Sequence, residues 1–96
     1  MMYITIDAMR SGTGIRDIVN GGYLKPEGLG LSSALINTLK LWLVDYQIVR
    51  DRGFTNKEVN ELDRAGMKIA TKISKELNGV KIEYFSDAAM KRSMLR

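Results

Sequence analysis

At 96 residues, 45% of them hydrophobic and 27% charged, the chain has the composition of one folded domain with a modest core, too small to enclose a large active-site cavity without losing packing. It contains neither cysteine nor histidine, which excludes disulfides, thiolate catalysis, metals held by those side chains, and the commonest general base near neutral pH. The net charge of +4 suits an anionic partner, but acidic residues are interspersed almost throughout, so the field is mild rather than a nucleic-acid footprint.

The first predicted element is a strand over residues 3–6, "YITI", short and rich in β-branched and aromatic side chains, with Ile4 and Ile6 on one side. A glycine-rich connector follows over residues 7–31. Between Met9 and Ser32 it holds six of the nine glycines and the only proline. "GIRDIV" reads as a single helical turn stopped by "NGG", and "KPEG" as a second turn. The stretch does not cradle phosphate. No glycine in the chain is followed by lysine, so a P-loop is absent, and after Gly12 and Gly14 the third position of a dinucleotide fingerprint is Asp17, a carboxylate where a phosphate would sit. The glycines are turn residues. A connector of this length is nevertheless long for a compact domain, and contact with a partner is the role left open to it.

A helix is predicted over residues 32–52, capped by Ser32 or Ser33 and stopped by Gly53. Leu35, Leu39, Trp42, Tyr46 and Val49 recur at helical spacing and form its core face, widened by Ile36 and Leu43. A second helix is predicted over residues 56–78. "FTNKEV" supplies Thr55 as N-cap, Glu58 to close a capping box, and Phe54 with Val59 as a hydrophobic staple. Its apolar face is Val59, Leu62, Gly66, Ile69, Ile73 and Leu77, and "NG" at Asn78 and Gly79 ends it. Gly66 on that face implies a close neighbour, expected to be the first helix. The short link "RDRGFT" forces the two helices into an antiparallel hairpin.

"VKIEYF", residues 80–85, alternates as a strand with one buried face. The tail over residues 86–96 is short and polar, suited to fraying or to one last helical turn. Two strands pair and the hairpin covers them, so the expected fold is a single α+β domain, β-α-α-β, with a two-stranded sheet on an antiparallel helical hairpin.

Two surface features stand out. Leu41, Val44 and Ile48 form a second apolar stripe on the first helix, opposite its core face. The economical reading sandwiches that helix between sheet and second helix, making both stripes core; the alternative is an exposed strip that binds another chain or a second copy, with Lys40 and Asp45 beside it to set register. On the second helix Lys57, Arg64, Lys68 and Lys75 fall on one face, interrupted by Glu61. Solvated charges explain such a face, and the functional version is an acidic partner. The candidate partner-binding residues are therefore Leu41, Val44, Ile48, Arg64, Lys68 and Lys75. Nucleic acid is disfavoured, because no aromatic platform is interleaved with the basic residues and no helix-turn-helix signature is present. The carboxylate pairs Glu58/Glu61 and Asp7/Asp17 could be arranged for acid–base work, but Glu58 belongs to the capping box and neither aspartate lies in a catalytic frame. No enzymatic activity, cofactor or metal is expected.

The arrangement Leu31-Ser32, Trp42, Tyr46, Gly53-Phe54, Leu62-Asp63, Gly66, Ile69-Ala70, Glu76-Leu77 and Tyr84 resembles short bacterial proteins, some of them immunity proteins encoded beside polymorphic or contact-dependent growth inhibition toxins. The resemblance runs from Leu31 onward. It implies a cytosolic inhibitor that binds and occludes one cognate toxin without chemistry of its own. Many immunity proteins are acidic, to suit basic nuclease toxins, whereas this chain is basic, so the implied toxin has an acidic contact surface. The alternative function is a small basic regulatory protein associated with nucleic acid. A homodimer is compatible with either. With no basic-then-apolar leader at "MMYITID" and no apolar run long enough to span a bilayer, the expected location is cytoplasmic, away from membranes.

Overall fold

The computed structural model describes residues 2–94. They form an α+β fold in the order β1 (Tyr3–Ile6), β2 (Ile15–Asp17), α1 (Ser33–Arg52), α2 (Asn56–Glu76), β3 (Lys81–Ser86) and β4 (Lys91–Met94). The sheet runs β2-β1-β3-β4, with β1 and β3 parallel at its centre and an antiparallel strand on either side. The last two residues of the predicted tail, 95–96, lie outside the described residues.

Period-two alternation sets the core. Ile4 and Ile6 of β1 stand beside Ile82 and Tyr84 of β3, and Ile15 of β2 stands beside Ile6. All five are buried in one cluster with Leu35, Leu39, Trp42 and Tyr46 of α1 and Ile69, Ala70 and Ile73 of α2. Both helices therefore cover one face of the sheet. The opposite face carries Thr5, Arg16 and Glu83 and, among the described residues, neither of the two α-helices.

The helix boundaries follow their end signals. The Ser32 hydroxyl accepts from the Leu35 amide, and α1 ends at Gly53, whose φ of 103° is a conformation that side-chain-bearing residues rarely adopt. At α2 the Thr55 hydroxyl accepts from the Glu58 amide while the Glu58 carboxylate accepts from the Thr55 amide, the full capping box. The helix stops at Glu76, two residues short of the expected 78. The hairpin is antiparallel along its length, since Trp42 Nε1 donates to the Leu62 carbonyl and the Ser32 amide to Glu76 Oε1.

The two-stranded sheet is corrected to four strands. One missed strand lies in the connector: "GIRDIV" is not a helical turn but β2, paired with β1. Three residues are too few for alternation to show, and what holds them is a turn, in which the Asp17 carboxylate accepts from the Val19 and Asn20 amides and from Asn20 Nδ2. The second missed strand, β4, is "KRSM", exposed at every position. Its hydrophobic pattern is silent, and pairing comes from the hairpin that Ser86 and Met90 close with a 2.7 Å backbone bond. The second predicted strand is shifted by one residue, from 80–85 to Lys81–Ser86. Gly66 does have close neighbours, but the nearest is the Tyr84 ring of β3, with the Trp42 ring of α1 next.

Candidate functional site

The outer surface of the helical hairpin holds the candidate residues. Because α1 and α2 lie side by side on the sheet, neither is sandwiched, and each keeps an outward face. Leu41, Val44 and Ile48 are 57%, 54% and 58% exposed, so the second stripe is a solvent-facing apolar strip and the reading that made it core is overturned. Large aliphatic side chains contiguous on one helix face and open to water are a marker of an interaction surface.

The basic face of α2 is exposed as well. Arg64, Lys68 and Lys75 line a shallow depression together with Met67, Thr71 and Lys72. Lys72 was missed in the sequence, although it lies one helical turn beyond Lys68 and shares its face. The ion pairs among the described residues use Arg10, Arg16, Lys40, Arg50, Arg52 and Arg92, and none involves Lys57, Arg64, Lys68, Lys72 or Lys75. Most carboxylates are occupied elsewhere: Asp63 accepts from the Tyr84 and Ser86 hydroxyls, Glu76 from Ser32, and Asp17 from its turn. The mild overall charge thus resolves into a face of one helix that carries five cations without ion pairs and is interrupted by Glu61.

Between the helices runs a groove of about 540 Å³, floored by Trp42, Val49, Leu62, Ala65 and Ile69. It brings together Leu41 and Lys68 of the candidate set, with Asp45 on the same lining; Val44, Ile48, Arg64 and Lys75 lie outside it. Lys40, the other expected register residue, is instead paired with Glu27 at 2.7 Å.

The open face of the sheet carries a separate polar cluster. Asp7 and Glu83 are only 2% and 3% exposed. Asp7 accepts from Arg16 Nε at 3.0 Å and the Tyr23 hydroxyl at 2.8 Å; Glu83 accepts from the hydroxyls of Thr5 at 2.8 Å and Tyr3 at 3.0 Å, and pairs with Arg92. Burial works to raise the Glu83 carboxyl, but the hydroxyl donors and the Arg92 charge outweigh it and hold the group below the usual carboxylate range. Burial, reinforced by the bond to Asp7, pushes the Tyr23 hydroxyl well above the usual phenol range. Asp7 and Asp17, one of the possible acid–base pairs, are committed to these different partners. Glu58, of the other pair, is held by Thr55 and Arg52.

Among the described residues no group of three or more Asp or Glu side chains is placed to hold a metal ion, and no helix is long and apolar enough to cross a membrane. No family model matches the chain, and no curated protein matches it.

Proposed function

We propose that this protein is a protein-binding module, in its most concrete form an immunity protein that neutralises a bacterial toxin by covering an acidic surface of it. The observation that carries the reading is the pairing of the exposed strip Leu41, Val44 and Ile48 with the unpaired cations of α2 on the outer surface of one helical hairpin. An apolar centre with a charged margin is the ordinary anatomy of a protein interface. The residues of the resemblance are scaffold: Leu31, Trp42, Tyr46, Gly66, Ile69, Ala70 and Tyr84 are buried, and Ser32 is a helix cap. The strip Leu41, Val44 and Ile48 and the cations of α2 are not among them.

The test is protection and capture together. A toxin domain encoded beside this chain is co-expressed with it, and survival is compared for the wild-type protein, Val44→Asp, and Arg64→Glu with Lys68→Glu. Survival with the wild type that is lost with Val44→Asp, accompanied by co-purification of the two proteins, supports the reading. A folded wild-type protein that neither protects nor co-purifies overturns it.

A second reading is favoured by the same five cations, Lys57, Arg64, Lys68, Lys72 and Lys75, along one helix: a regulatory protein on nucleic acid. Its signature is binding to mixed-sequence DNA or RNA that weakens steeply with added salt, as condensed counterions are released. Retention of that binding in Val44→Asp and its loss on reversal of Arg64 and Lys68 distinguish it from the protein-binding reading.

A further inference from the structure

We propose that the groove between α1 and α2 is the seat of an amphipathic helix from a protein partner, about three turns long and bearing charges of opposite sign in its two halves. The inference rests on the protein-binding reading and specifies the form the partner presents.

The groove is apolar along its floor and divided by charge along its length. Because the helices are antiparallel, Thr38 and Leu41 of α1 face Lys68, Ile69 and Lys72 of α2 at one end, while Asp45 and Val49 face Glu58 and Glu61 at the other. Among the described residues Lys68, Lys72, Asp45 and Glu61 make no ion pair. Two unpaired cations therefore stand at one end of the groove and two unpaired carboxylates at the other. An isolated anionic or cationic ligand would satisfy one end and be repelled at the other. An occupant with both signs, in separate halves, satisfies both.

The walls specify a helix. Groove walls made of helix offer side chains and no free strand edge, so an extended segment gains no ladder of backbone bonds there, whereas a helix needs only an apolar stripe. From Thr38 to Val49 the α1 wall rises about 17 Å at 1.5 Å per residue, close to three helical turns. An incoming helix would rest its apolar stripe on Leu41, Leu62 and Ala65, above the buried Trp42 and Ile69, completing a third helix in the outer layer at ordinary interhelical spacing. Ala65 offers the smallest side chain on that floor, where an incoming backbone can approach most closely. Leu41 links the groove to Val44 and Ile48, so residues flanking the incoming helix continue onto the exposed strip.

The test uses three synthetic helical peptides of equal length that share one apolar stripe. The first carries glutamates in one half and lysines in the other, the second glutamates throughout, the third lysines throughout. Each is titrated into the isotopically labelled full chain and followed through its backbone amide resonances. The expected result is at least tenfold tighter binding of the mixed peptide, with shifts centred on Leu41, Asp45, Glu61, Ala65 and Lys68. Lys68→Glu with Lys72→Glu should remove that preference while leaving the amide spectrum folded. Preference for the all-glutamate peptide, with shifts confined to Arg64, Lys68, Lys72 and Lys75, overturns the groove inference but leaves an acidic partner standing. Failure of all three peptides to shift the groove residues overturns it, as does concentration-dependent self-association that covers those residues, which would make a second copy the occupant. Toxin protection is read in a separate assay, so the failure of either proposal is visible without the other.

Discussion

The carboxylate of Glu76, in the last turn of α2, accepts both the backbone amide and the hydroxyl of Ser32, at 2.7 and 2.8 Å. Ser32 is the N-cap of α1, so the end of one helix clasps the start of the other across 44 residues of chain. A negative group there also meets the positive end of the α1 dipole. Glu76→Gln should lower the thermal midpoint and loosen the first turn of α1, seen as faster amide exchange at Leu35 and Ile36. The two bonds from Ser32 hold the Glu76 carboxyl below its usual range, so the clasp is fully present above the unfolded-state value and is lost as pH falls through the folded one. A midpoint unchanged by Glu76→Gln at neutral pH would refute the clasp.

Gly66→Ala separates packing from helix propensity. Alanine favours a helix interior by about 1 kcal/mol, but the added methyl would overlap Tyr84 Cε1 and come within 2.8 Å of Trp42 Cζ2. Tyr84 has little freedom to retreat, because its hydroxyl donates to Asp63 at 2.7 Å. Overpacking costs about 1–3 kcal/mol, and the net expectation is destabilisation, measured by urea unfolding. A gain in stability would show that the ring moves aside.

The open sheet face predicts an acid-sensitive component of stability. Glu83 has its folded-state pKa held below the unfolded value, so its contribution is complete above that unfolded value, near 4.5, and is lost as pH falls through the lower, folded value. Thermal midpoints measured from pH 6 down to pH 3 should fall less steeply for Glu83→Gln than for the wild type. Parallel curves would mean that Thr5, Tyr3 and Arg92 do not favour the charged form.

Val44 and the basic face should separate kinetically once a partner is in hand. Val44 is 54% exposed, so Val44→Asp should leave the fold intact by circular dichroism and speed dissociation from the partner. Arg64→Glu with Lys68→Glu should instead slow association and flatten its salt dependence, as marginal charges do. Unfolding of Val44→Asp would contradict its outward position.

How much was legible in the sequence depended on whether a residue acts through a local pattern or through distant partners. Ser32, Thr55 and Glu58 act within one helical turn, and their roles could be read directly. The core faces of α1 and α2 were legible for the same reason, through 3.6-residue periodicity. β2 and β4 were not, because a strand of three or four residues is defined by the neighbour it pairs with, and Ile15–Asp17 and Lys91–Met94 carry no alternating hydrophobic signal. The outward position of Leu41, Val44 and Ile48 was undecided because periodicity shows that a helix has two apolar faces without showing how many layers enclose it. The partners of the buried carboxylates Asp7 and Glu83 were hidden for a further reason: Tyr23 lies 16 residues from Asp7, and the Glu83 bond to Thr5 spans 78 residues.

That same separation governs when the protein can form during synthesis. The two central strands are parallel, and in chain order β1 precedes the helical hairpin while β3 follows it. At roughly 5–20 residues per second, β1 is made on the order of 4–16 s before its parallel neighbour β3 exists. The hairpin can assemble in that interval, since its contacts are local, but the apolar side of Ile4 and Ile6 has no complete sheet to join until β3 arrives. Folding is therefore expected to finish only once β3 has been made, with a rate limited by closure of this long loop rather than by helix formation.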